Sequence, residues 1–117
     1  MTAAESGRAG EQAVARYLEA KGYRVLEHNF RVREGEIDLI ATHRDMIVFV
    51  EVKQRRSAAF AFPAEAVTAK KRARLRAAAA LWMADHGEVP ARFDVVEVFQ
   101  GLSDKAPRIH HIENAFM

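Results

Sequence analysis

The stretch GEIDLIATHRDMIVFVEVKQR, from Gly35 to Arg55, holds two apolar runs, IDLIA and MIVFVEV, on either side of the polar pair Arg44-Asp45. Short apolar runs bounded by turn residues read as buried strands, and a two-residue connection predicts a hairpin. Yet Asp38 and Glu51 stand inside these runs, and Lys53 directly follows the second. A buried charge costs roughly several kcal/mol unless it is paired, hydrogen-bonded or bound to a metal. The reading of the chain turns on what would hold two carboxylates and a lysine in the middle of a sheet.

Side chains alternate along a strand, so Glu51 and Lys53 share a face while Val52 turns away. The hairpin brings Asp38 alongside, and the three charges converge on one spot. Two adjacent carboxylates repel and raise each other's pKa. A divalent cation removes that conflict, and Mg²⁺ (or Mn²⁺) favours one or two carboxylates completed by water and phosphate oxygens. A nearby lysine would stabilise charge on a phosphate, or orient or deprotonate an attacking water. Together these parts supply most of what phosphodiester hydrolysis requires.

The flanking sequence supports such a sheet. A first helix is predicted from about Glu5 to Lys21, stopped by Gly22, with Val14, Tyr17 and Leu18 as its apolar stripe. Glu11 borders that stripe and would reach the sheet to complete the cation shell. YRVLEHNFRV reads as a strand ending in a turn near Glu34-Gly35, and QRRSAAFAFP, after Lys53, as a loop. Pro63 and Thr68 are both suitable helix starts for AKKRARLRAAAALWMADHG, which Gly87 ends. Leu75, Ala78 or Ala79, and Trp82 should face the sheet. RFDVVEVF and RIHHIENAF follow as a fourth and a fifth strand. The order α, three strands, α, then further strands predicts an α/β sandwich with a mixed sheet.

A chain of 117 residues suits one domain, residues 1–117, with a core of its own. It has no cysteine, which excludes disulfides and thiolate metal sites and fits a reducing, cytoplasmic setting. No apolar run approaches the length needed to span a bilayer, so no membrane role is expected. The net charge of +2 conceals an asymmetry: Lys53 to Arg76 carries eight bases against one acid, leaving ten bases against fifteen acids elsewhere. A basic segment beside an active-site strand points to a polyanion partner, with Arg55, Arg56, Lys70, Lys71 and Arg74 as phosphate contacts, chiefly Lys71.

Asp38 followed by Glu51-Val52-Lys53 resembles the signature of the PD-(D/E)XK nuclease superfamily, with Ile37 in place of the usual proline. GEQAVARYLEAKGYRVLEHNFR, GEIDLIA, FVEVKQR, EAVTAKKRARL, RFDVV and IHHIENAF resemble, in order, the successive blocks of the YraN family of small bacterial proteins. The resemblance implies a restriction-endonuclease-like αβββαβ sandwich related to archaeal Holliday-junction resolvases. It implies that Glu11, Asp38 and Glu51 bind or support Mg²⁺ or Mn²⁺, that the Val52 carbonyl is a further ligand, and that Lys53 is the catalytic lysine. A resolvase-like nuclease acting on structured or branched DNA, more than on RNA, is the leading expectation, and resolvase-type enzymes cut as homodimers. The alternatives are a nucleic-acid-binding adaptor with little turnover and a partner-dependent interaction module.

Other residues have plainer readings. Glu36 sits at a strand start and is expected to be solvated. His110 and His111 are adjacent strand residues, so they point to opposite faces and do not share an ion. Trp82 keeps register with Leu75 and belongs to the core, whereas Phe60 lies in the loop near the site and could stack on a base.

Overall fold

The computed structural model describes residues 3–55, 67–99 and 107–116, with side chains from residue 7 onward. Its elements follow the expected order: α1 (Ala3–Ala20), β1 (Arg24–Val32), β2 (Gly35–His43), β3 (Met46–Arg55), α2 (Ala69–His86), β4 (Ala91–Phe99) and β5 (Arg108–Phe116). The five strands form one sheet in the order β1-β2-β3-β4-β5. Only β3 and β4 run parallel, which is what a crossover through α2 imposes, and the other neighbours are antiparallel. This is the α/β architecture of the restriction-endonuclease-like sandwich.

One helix covers each face. Val14, Ala15 and Leu18 of α1 pack with Leu39, Ala41, Val48, Val50, Val96 and Val98. Leu75, Ala78, Ala79 and Trp82 of α2 pack with Ile37, Ile40, Ile47, Phe49 and Val95. Burial on both faces explains why MIVFV is apolar without alternation. Trp82 is a core residue, as its spacing predicts: it is 3% exposed, lies edge-on to Phe49, and its Nε1–H donates to Glu27 Oε1 at 2.9 Å. Among the described residues no helix is long and apolar enough to cross a membrane.

The local signals act as chemistry dictates. Arg44 and Asp45 both take positive φ, 52° and 65°, between the paired residues His43 and Met46, making the tight β2–β3 turn. Gly22 has φ 91°, and the Tyr23 N–H returns to the Leu18 carbonyl at 2.9 Å, closing α1. Thr68 is the start of α2, its Oγ1 accepting the Lys71 N–H at 3.1 Å. Pro63, the other suitable start, lies outside the described residues.

Two boundaries differ from expectation. β3 continues through Gln54 and Arg55, because the parallel ladder pairs them with Val98 and Phe99, so the connection begins after Arg55. Gly35 is not a turn residue but the first residue of β2, paired with Val32. It is buried, and a Cβ there would collide with the Arg74 backbone carbonyl. Glycine is needed at Gly35 so that α2 can approach the sheet.

Candidate active site

The site begins where the β2–β3 hairpin opens. The ladder runs from His43↔Met46 up to Leu39↔Val50 and stops. The alternation of β2 also slips there: Ile37 joins the core beneath α2, whereas Leu39, two residues on, joins the core beneath α1. Asp38 lies at the slip. Its Oδ2 accepts the Val52 N–H at 2.8 Å, so a carboxylate takes the place of a ladder carbonyl and wedges the two strands apart.

That position leaves the carboxylate poorly supported. Burial first, and then the neighbouring Glu51 charge, push the Asp38 pKa up to about 7, and Glu11 adds in the same direction. The Val52 N–H and the Lys71 ammonium oppose the shift without cancelling it.

Glu51, 5% exposed, faces α2 with Lys53. Lys71 Nζ lies 2.5 Å from Glu51 Oε1, and Lys53 Nζ lies 3.7 Å from the same oxygen. Burial, followed by the adjacent Lys71, holds the Lys53 ammonium below its ordinary pKa. Burial is the largest single influence on the Lys71 charge and works against it, but the hydrogen bond to Glu51, the contact with Lys53 and the negative charges of Glu51 and Asp38 together outweigh it and raise the Lys71 pKa. Lys71 reaches inward because it stands one helical turn before Leu75, the buried anchor of α2. Half-exposed, its ammonium bridges the buried Glu51 and the surface.

The donor set fits a hard, partly hydrated cation and not a closed cage. Among the described residues no three His, Cys, Asp or Glu side chains form a group able to hold a metal ion. Two carboxylates at a strand fork, one of them starved of positive charge, are what Mg²⁺ or Mn²⁺ would find, with the Val52 carbonyl beside them. Glu11 acts on Asp38 through its charge, and it lines a cleft of about 410 Å³ with Gly7, Arg8, Asn29 and Arg31.

The basic residues divide. Lys70, Lys71 and Arg74 line a cleft of about 220 Å³ with Glu36, Thr68 and Leu75, and Lys71 links that cleft to Glu51. Glu36 is exposed and paired to Arg31 at 3.3 Å, matching its expected solvated role. Arg55 turns along the sheet, its Nε donating to Glu97 Oε2 at 3.1 Å. Arg56 and Phe60 lie outside the described residues. His110 and His111 diverge as strand geometry requires: His110 Nδ1 meets Glu97 Oε1 at 3.0 Å, and His111 Nε2 meets Asp94 Oδ2 at 2.7 Å.

Two buried acids, Asp94 and Glu97, went unnoticed in RFDVVEVF. The signal was there, since the rule that singles out Asp38 and Glu51 applies equally to acids inside this apolar strand.

The family model described as "Uncharacterised protein family UPF0102" matches residues 10–98. A UPF0102 protein of Symbiobacterium thermophilum is 52% identical over 112 residues, 94% of each chain. One from Alkaliphilus metalliredigens is 46% identical over 112 residues, covering 94% of this chain and 96% of its own. A third, from Geobacter sulfurreducens, is 46% identical over the same length, covering 94% and 87%.

Proposed function

This chain belongs to the UPF0102 family, the YraN family of the sequence resemblance, and we propose that it is a divalent-metal-dependent endonuclease hydrolysing phosphodiester bonds in structured or branched DNA. The observation that carries this reading is the Asp38 carboxylate, wedged into the strand fork beside Glu51 with its pKa pushed up to about 7. A protein using Asp38 for stability alone would surround it with donors. Leaving it charge-starved suits a residue that awaits a cation.

Asp38 and Glu51 would hold Mg²⁺ or Mn²⁺, with the Val52 carbonyl as a third protein ligand and Glu11 as a nearby negative charge. When bound, the ion supplies an activated water and a clamp on the scissile phosphate. Lys53 stands on the Glu51 face and offers its ammonium to the charge that develops on the phosphate. Its depressed pKa also suits it to orient or deprotonate water. Lys71 neutralises Glu51 on one side and joins Lys70 and Arg74 at the cleft mouth, where phosphates of the bound strand would lie.

A nucleic-acid-binding adaptor is the second reading. In its favour, Lys71 already neutralises Glu51, so half of the carboxylate pair is satisfied without metal. One experiment separates the two. Labelled single-stranded, duplex, flapped and four-way-junction DNA and their RNA counterparts are incubated with Mg²⁺, Mn²⁺ or EDTA, using wild type and Asp38→Asn. Metal-dependent cleavage lost in the variant supports the nuclease. Retained binding with no cleavage under any condition replaces it with the adaptor.

A further inference from the structure

The row of side chains containing Lys53 continues across two more strands. Lys53 is in register with Glu97 of β4, and Glu97 with His110 of β5, so all three share the α2 face of the sheet. Glu97 is only 3% exposed, and each of its oxygens is engaged from a different strand. Arg55 Nε donates to Oε2 at 3.1 Å from β3, and His110 Nδ1 lies 3.0 Å from Oε1 on β5. This cluster is separate from the Asp38–Glu51 fork.

Stapling three strands together would account for Glu97, but not for its partners. Arg55 Nη2 is buried and finds no hydrogen-bond partner among the described residues, a costly state for a charged donor. The Arg55 side chain as a whole keeps 25% of its surface exposed, so a small shift of the guanidinium would bring the covered Nη2 to an acceptor at that exposed edge. His110 is 57% exposed, and with its Nδ1–H donated to Glu97 its Nε2 faces away from that anchor, where it can donate to a phosphate only in the imidazolium form. Arg108, exposed at the next same-face position of β5, lies over the Phe99 ring, 5.8 Å from its centre. The surroundings of Glu97 are therefore cationic and open to an anion.

Two strand spacings place the His110 backbone roughly 9–10 Å from that of Lys53. That separation suits contacts to successive phosphates of one strand better than joint contact with a single phosphate. We propose that Arg55 and His110, aimed by the buried Glu97, form a second phosphodiester subsite gripping the phosphate next to the one served by Asp38, Glu51 and Lys53. The assignment of a neighbouring phosphate rests on the nuclease reading, whereas the subsite as a nucleic-acid contact does not. Arg55 is suited to it because Nε holds the anchor while the rest of its planar fork is left for a phosphate. Glu97 touches no nucleic acid and is a positioning residue.

The test measures binding of labelled single-stranded and four-way-junction DNA to the full chain in Ca²⁺, across a salt series, for wild type, Arg55→Gln, His110→Gln, Glu97→Gln and Asp38→Asn. Melting temperatures monitor the fold, and His110→Gln, at an exposed position, should preserve it. Arg55→Gln and His110→Gln are expected to weaken binding by roughly three- to thirtyfold, independently of sequence. Arg55→Gln should also lower the slope of log affinity against log salt by about one. Glu97→Gln should reproduce the loss, and the double variant Arg55→Gln/Glu97→Gln should add little to either. If Arg55→Gln and His110→Gln leave affinity and salt slope unchanged, the subsite does not exist, whether or not wild type cleaves in Mg²⁺. A loss of binding in a protein that cuts nothing would instead keep the subsite and remove the nuclease.

Discussion

Asp38 and Asp94 are the same side chain set into one sheet, and their surroundings drive them in opposite directions. Asp94, fully buried, stands on β4 in register with Val50, and Val50 with Leu39, one residue from Asp38. Four donors surround it: His111 Nε2 at 2.7 Å, the Asn114 N–H at 2.9 Å, and Arg92 through Nε at 2.9 Å and Nη2 at 3.3 Å. Burial alone would raise its pKa, but the bonds from His111, Asn114 and Arg92 hold it below the usual carboxylate range. Behind it a relay runs from Lys21 to Tyr17 to His111. Asp38 accepts one backbone N–H and faces two other carboxylates, and its pKa rises to about 7. The more deeply buried of the two has the lower pKa, so burial does not set which acid is held charged here. The supply of donors does.

Removing each acid should break this comparison most sharply. Asp38→Asn is expected to cut metal-dependent cleavage on the order of 10²–10³-fold or more while leaving the melting temperature unchanged or higher, because it deletes a disfavoured charge. Cleavage assays beside thermal melts would show both effects. Asp94→Ala should do the reverse, costing about 3–5 kcal/mol of stability by stranding Arg92 and His111, as read by urea denaturation.

The two acids also predict opposite pH slopes in metal-free protein. Because the folded-state pKa of Asp38 is raised, the native protein binds more protons than the unfolded chain between about pH 4 and 7, so its contribution to stability falls as pH rises through that window. Asp94 has a depressed pKa, so its contribution is present above the ordinary Asp value and is lost as pH falls through the folded one. Denaturation midpoints against pH should slope downward from pH 4 to 7 in wild type and flatten in Asp38→Asn. An unchanged slope in that variant would mean that Asp38 is not the group responsible.

Smaller effects would sharpen the comparison. Lys71→Met removes the ammonium that competes for Glu51, so added Mn²⁺ should raise its melting temperature more than that of wild type. Equal shifts would mean that Lys71 does not occupy a cation position. Gly35→Ala tests the scaffold instead, since its Cβ would press on the Arg74 carbonyl, and a loss of about 1–3 kcal/mol is expected.

Much is legible in the sequence alone, because strand periods, the Arg44-Asp45 turn, Gly22 and the apolar stripes are local properties of φ, ψ and burial. They suffice for the element order, both helix ends and the convergence of Asp38, Glu51 and Lys53. Charges interrupting apolar runs mark the candidate site, although Asp94 and Glu97 carry the same mark. Other features depend on elements far apart in the chain. The slip at Asp38 exists because α1 and α2 draw Leu39 and Ile37 to opposite faces. Lys71 reaches Glu51 only because Gly35 lets α2 close on the sheet. Whether a buried acid finds four donors or one depends on His111 and Asn114 of β5 arriving beside Asp94, where Arg92 already stands two residues away on the same strand, and no local pattern encodes the meeting of β4 with β5.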